Sequence, residues 1–142
     1  NHSIKNILLK RGKDFSENVE KLIPENTDLI VLAGFLSILN KNFCEKFEGK
    51  IINIHPALLP KFGGKGMWGN HVHQAVIEAK EKESGATVHL VTSGIDEGES
   101  ILQGKVEVED EETPETLAKK IHQIEFEIFP KAINKFLNNR VP

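Results

Sequence analysis

Leu29-Ile30-Val31-Leu32-Ala33-Gly34, followed one short helix later by Ile51-Ile52-Asn53-Ile54-His55-Pro56, is the stretch that decides the fold. The first run is continuously apolar with β-branched members, which predicts a strand buried on both faces in a parallel sheet. Gly34 permits a sharp turn after it. Asn40 is placed to cap a short helix carrying Phe43 and Phe47, and Gly49 to stop that helix before the second run. Strand, helix, strand is a βαβ unit, so the class is α/β. Side chains alternate along a strand, so Asn53 and His55 share a face, and Pro56 ends the strand just beyond them. Parallel α/β sheets collect ligands outside the carboxyl ends of their strands, which makes this strand end a candidate site.

Upstream, Asn6 to Leu9 reads as a short strand. Phe15, Val19, Leu22 and Ile23 recur with helical spacing behind a cap at Asp14 or Ser16, and Pro24 and Asn26 end that helix. Downstream, Pro56 to Gly69 is an irregular loop long enough to wall a site. Asn70 is placed to cap a helix through about Lys82, with Ala75, Val76 and Ala79 on its buried side. Ala86 to Val91 and Ile101 to Val108 read as strands joined as a hairpin through the glycine-containing turn Thr92 to Ser100. Thr113-Pro114 is a helix start, Leu117, Ile121, Ile124 and Ile128 form its apolar stripe, and Pro130 should kink or end it.

The 142 residues carry 18 basic and 21 acidic side chains, a net charge of -3, and show no dense Lys/Arg run. A phosphate backbone would find no counter-charge, so nucleic acid is not an expected partner. A lone Cys44 forms no internal disulfide, and no apolar stretch approaches the roughly 20 residues that span a membrane. A cytoplasmic protein without membrane partners is expected. The first residue is Asn1 rather than Met, and residues 1–5 carry neither a signal-peptide core nor an amphipathic presequence, as if the start were truncated.

Asp96 lies in the turn between the two late strands, between Gly94 and Gly98. An aspartate facing His55 favours the protonated imidazole and fixes its orientation, which suits a general acid near neutral pH. Asn53 adds a neutral donor beside it, and the pair suits an oxyanion developing in acyl or formyl transfer. Taken singly, the histidine is as well read as a packed residue and the aspartate as a turn former. It is the joint pattern that points to catalysis. His71 and His73 would suit a metal on a strand but point apart on a helix, and no third ligand is evident, so no metal is expected. Gly63 to Gly69 lacks the order of a phosphate-binding loop and reads as a wall, with Trp68 as a packing anchor.

Asn53-Ile-His-Pro-Ala-Leu-Leu-Pro60, His71-Val-His-Gln-Ala75, Gly85-Ala-Thr-Val-His-Leu-Val91 and Ile95-Asp-Glu-Gly98 resemble the folate-dependent formyltransferase family. Thr113-Pro-Glu-Thr-Leu-Ala118, Glu125 and Phe129-Pro130 resemble those members that formylate glycinamide ribonucleotide (5′-phosphoribosylglycinamide, GAR) in purine biosynthesis. The resemblance implies a Rossmann-like three-layer fold with a mostly parallel sheet and a late antiparallel hairpin. It also implies 10-formyltetrahydrofolate as co-substrate, with neither metal nor covalent intermediate. By the same resemblance, Asn53 and His55 polarise the formyl oxygen, while Asp96 keeps His55 protonated and relays a proton through water. Leu36, Ser37, Ile38 and Leu39, facing Thr92, Ser93, Gly94 and Ile95, would hold the folate, with Arg11 the nearest match to an expected arginine. Gly34 and Glu125 would meet the ribonucleotide.

The family begins with a βα unit whose glycine-rich loop holds the substrate phosphate, and no segment here matches it. A single formyltransferase domain over residues 1–142, lacking that unit, is the expectation. Small-molecule substrates and a monomer or homodimer go with it. Formyltetrahydrofolate deformylase is the nearest alternative, and an inactive truncated binding module is the alternative from another class. Methionyl-tRNA formyltransferase would carry a basic additional domain, which this chain lacks.

Overall fold

A computed structural model of the chain describes residues 4–139. Of residues 1–5, read above for a signal-peptide core or presequence, the first three lie outside that range. Eight elements follow in order: α1 (Phe15–Glu20), β1 (Ile30–Leu32), α2 (Lys41–Lys46), β2 (Ile51–His55), α3 (Asn70–Glu78), β3 (Glu83–Leu90), β4 (Ser100–Glu107) and α4 (Pro114–Asn138).

The four described strands form one sheet in the order β1-β2-β3-β4. β1 lies parallel to β2, with Leu32 beside Asn53. β2 runs antiparallel to β3, with His55 opposite Thr87, and β3 antiparallel to β4 in the expected hairpin. Parallel pairing among the described strands is thus confined to β1 and β2. The antiparallel part reaches one strand further than the sequence reading placed it. Residues 56–69 and α3 return the chain to the end of the sheet at which β2 left it, and apolar periodicity carries no information on strand direction.

Ile51 and Ile52 divide the core between the two faces of the sheet, as alternation demands. Ile52 joins Val76, Val88, Leu117, Ile121 and Ile128 in a cluster under α3 and α4, whereas Ile51 joins Leu39, Phe43 and Cys44 under α2. Each fully buried large aliphatic contributes about 1.5–3 kcal/mol of transfer free energy. Asn40 caps α2 as the sequence predicts, its side chain accepting from Phe43 N at 2.9 Å. Gly49, at φ +67°, supplies the left-handed stop after it. Thr113 and Thr116 form a reciprocal capping box at the start of α4, with Pro114 in the first turn.

Several local expectations are corrected. Asn6 to Leu9 is not a strand, and Leu8 is almost fully exposed. Asp14 occupies the N-cap of α1 without a side-chain bond, Ser16 turns its hydroxyl to Asn40 N, and the helix stops before Leu22, which is exposed. β1 is not buried on both faces: Val31 is 41% exposed, and among the described strands β1 also has a neighbour on one side only. α3 begins at Asn70 with Gly69 at its cap and ends at Glu78. Its buried positions are Val72, His73 and Val76, while Ala79 is exposed. Pro130 does not end α4, which runs on to Asn138.

Candidate active site

Asn53 and His55 of β2 and Thr87 and His89 of β3 occupy paired register positions, Asn53 opposite His89 and His55 opposite Thr87. Directly opposed residues present their side chains to the same face, so the antiparallel pairing assembles four polar groups on one patch of sheet. His55 and His89 are 5% and 2% exposed. Buried polar groups need partners, and these have them.

His55 Nε2 lies 2.8 Å from the carbonyl oxygen of Phe62, and its Nδ1 lies 3.5 Å from Asp96 Oδ2. Both ring nitrogens therefore face oxygen atoms. Asp96 sits at φ +59°, a left-handed conformation that aspartate tolerates better than most residues. Its Oδ2 also accepts from Gly64 N at 3.0 Å, and its Oδ1 lies 3.6 Å from His89 Nε2. The aspartate thus ties His55 to the glycine-rich loop.

His89 Nδ1 is 2.8 Å from Leu90 O, to which it donates, leaving Nε2 as the acceptor for Asn53 Nδ2 at 3.2 Å. Burial pushes the His89 imidazole below its ordinary value and outweighs the Leu90 bond and the Asp96 charge, which act the other way. His73, on the buried face of α3, is lowered chiefly by burial and then by His122 and His55, and its Nδ1 has no partner among the described residues.

These groups open onto a cleft of about 970 Å³. Gly34, Leu36, Ser37, Ile38 and Leu39 line it, as do Thr92, Ser93, Gly94 and Ile95. Leu36 and Ile38 are exposed, so their side chains offer apolar surface rather than core, while Leu39 is also part of the α2 cluster. Glu125 lines the α4 side and is paired with His122 Nδ1 at 2.7 Å. Apolar walls with a few convergent polar groups suit a flat heterocycle. Arg11 alone among the expected contacts stands apart: it is exposed in the segment before α1 and does not line the cleft. His71 and His73 point apart as a helix requires, His71 out against Trp68 and His73 inward. Among the described residues no group of three or more His, Cys, Asp or Glu is arranged to hold a metal ion.

His89 and the Phe62 carbonyl were not singled out by sequence reasoning, and His73 was considered only as a metal ligand. His89 lies in Gly85 to Val91, and two-residue spacing puts it on the face of Thr87, but only the register shows what it faces.

Residues 4–133 match the formyl transferase family, and the chain belongs to that family. Within it, the chain is 38% identical over 130 residues to the chloroplastic phosphoribosylglycinamide formyltransferase of Arabidopsis thaliana, covering 92% of this chain and 44% of that one. It is similar in structure to phosphoribosylglycinamide formyltransferase from Coxiella burnetii, with a TM-score of 0.78 and 39% identity over 89% of this chain and 58% of that one. It is also similar to a formyltetrahydrofolate deformylase from Pseudomonas syringae, with a TM-score of 0.80 but 27% identity, over 92% of this chain and 42% of that one. The chain spans about half the length of the relatives it matches.

Proposed function

We propose that this chain carries the transfer centre of an enzyme that moves the formyl group of 10-formyltetrahydrofolate to the amine of 5′-phosphoribosylglycinamide. The observation that carries the reading is the His55–Asp96 pair at 3.5 Å, with Asn53 on the same face, at the floor of an apolar-walled cleft. The acceptor amine attacks the formyl carbon, the carbonyl electrons move onto oxygen, and the resulting oxyanion needs donors placed for the transition state rather than the ground state. His55 Nε2–H and the Asn53 amide are those donors. Donation from His55 requires Nε2–H to turn from the Phe62 carbonyl to the formyl oxygen. Collapse expels the folate nitrogen, which takes up a proton as the former amine gives one up, with Asp96 placed to pass it through water. The slot between Leu36 to Leu39 and Thr92 to Ile95 takes the folate heterocycle, and Glu125, with Gly34, meets the ribonucleotide.

The test is ribonucleotide-dependent production of tetrahydrofolate by the intact protein. A deformylase is the second reading, favoured by the similarity to the Pseudomonas syringae structure. Formate released at a matching rate without added ribonucleotide would establish it instead. Identity of 38–39% to phosphoribosylglycinamide formyltransferases against 27% to the deformylase supports the amine as acceptor. A cytoplasmic location goes with this reading; among the described residues no helix is long and apolar enough to cross a membrane.

A further inference from the structure

We propose that Thr87 and Gln103, outside the reacting groups, are positioning residues that set His55 and Asp96 through the loop joining them. The inference rests on the transfer reading above for its kinetic consequences. Its geometric content stands independently.

His55, Thr87 and Gln103 lie on one register line across β2, β3 and β4, His55 opposite Thr87 and Thr87 opposite Gln103. Their side chains therefore share the face over which the chain passes after Pro56. Thr87 Oγ1 donates to Ala57 O at 2.6 Å and accepts from Leu59 N at 3.1 Å and from Gln103 Nε2 at 2.9 Å. Gln103 Nε2 donates its other hydrogen to Leu59 O at 3.0 Å. One hydroxyl has one hydrogen and two lone pairs, and one amide nitrogen has two hydrogens, so the Thr87 hydroxyl and the Gln103 amide nitrogen are both fully used. Thr87 is fully buried, which leaves no water to replace a lost bond.

The clamp holds residues 57–59, immediately after His55, and the next turn returns to the same histidine. Phe62, three residues beyond the clamp, presents its carbonyl to His55 Nε2, and Gly64 donates to Asp96 Oδ2. Gly85 and Gly104 bring β3 and β4 so close that a Cβ at Gly85 would meet Gly104 O at 1.9 Å and Leu58 Cδ2 at 2.7 Å. That close approach lets the loop lie flat on the hairpin. Slack at residues 57–59 would therefore reach both reacting groups at once, through Phe62 O and Gly64 N.

Gln103 is on the exposed side of β4, so its replacement tests the clamp with little risk to the core. Gln103→Ala and Thr87→Val should each lower kcat between about tenfold and a hundredfold, the range in which small misplacements of catalytic groups act. The KM for folate should stay within about threefold, since the cleft walls are untouched. Thr87→Ser, which restores the hydroxyl, should recover most of the rate. In the substrate-free protein, both defective variants should shift the His55 ring resonances in NMR while leaving the backbone dispersion intact. If the intact protein shows no formyl transfer at all, the transfer reading fails but the resonance shifts still decide the clamp. Folded variants with unmoved His55 resonances, or with unchanged kcat, would overturn the proposal.

Discussion

Asn53 Nδ2 lies 3.2 Å from Nε2 of His89, and the bond from His89 Nδ1 to Leu90 O makes that Nε2 an acceptor. The neutral imidazole thereby decides which end of the Asn53 amide faces it. An amide left without such a partner can rotate by half a turn and exchange its donor for its acceptor. An oxyanion can use Asn53 only as a donor, so on the function proposed above a buried histidine fixes the polarity of the amide that would meet the formyl group.

His89→Phe keeps ring volume and removes both nitrogens. The expected result is a fall in kcat of up to about a hundred- to a thousandfold, the cost of a lost oxyanion donor, with folate KM little changed. Steady-state kinetics on the folded variant checks it, and an unchanged kcat would show that Asn53 is oriented by something other than His89.

His55→Ala removes the donor proposed for the transition state and nothing that grips the folate walls. The transfer rate should fall by about two to four orders of magnitude while folate affinity, read by fluorescence quenching or calorimetry, stays within a few-fold. Asp96→Asn keeps the shape and one acceptor for Gly64 N but removes the charge, and should lie between the parent and His55→Ala. Parental turnover in His55→Ala would remove the assignment.

Burial holds His89 and His73 below the ordinary histidine value of 6.5, so between that pH and their lowered values the unfolded chain binds more protons than the folded one. Stability therefore rises with pH through this window and is lost progressively as the pH falls below about 6.5. His73→Leu removes one of the two groups together with its Nδ1, unpartnered among the described residues. Urea midpoints at pH 7.5 and 5.5 should differ less in the variant than in the parent, and an equal or larger difference would mean that His73 is not held neutral.

The residues that define the site were legible because their signals are local. Apolar runs bounded by Gly34 and Pro56 mark strand ends, and Asp96 between two glycines marks a turn. Side-chain alternation alone put Asn53 and His55 on one face. What could not be read is whatever depends on pairing. The neighbour of β2 is β3 running antiparallel, and that pairing brings His89 to Asn53 and Thr87 to His55. A strand's sequence says which side chains share a face but not which strand lies beside it, so the histidine that orients Asn53 was invisible until the register was known. The short reach of β1 and the open face at Val31 have the same origin, since burial on the second face depends on what packs there.

Pro130 shows the limit of a local rule and offers a test of its own. A proline inside a helix removes the bond to the carbonyl four residues back, here that of Phe126, and crowds it. α4 nevertheless continues to Asn138, because the residues on both sides of Pro130 are anchored: Ile121 and Ile128 before it and Ala132 after it are buried against the sheet. Phe126 is 80% exposed, so water can serve its carbonyl. Tertiary packing thus outweighs an intrinsic penalty of about 3 kcal/mol relative to alanine. Pro130→Ala returns an N–H to the ladder and relieves the crowding, while giving back about 0.4–1 kcal/mol of unfolded-state entropy that proline had removed. The net expectation is a gain of about 2–2.5 kcal/mol in unfolding free energy, seen as a higher urea midpoint at unchanged slope. Because Pro130 also lines the cleft, folate KM should be measured on the same variant. A lower midpoint would mean that the proline fits α4 better than a regular turn does, and that the helix is bent there to meet its neighbours.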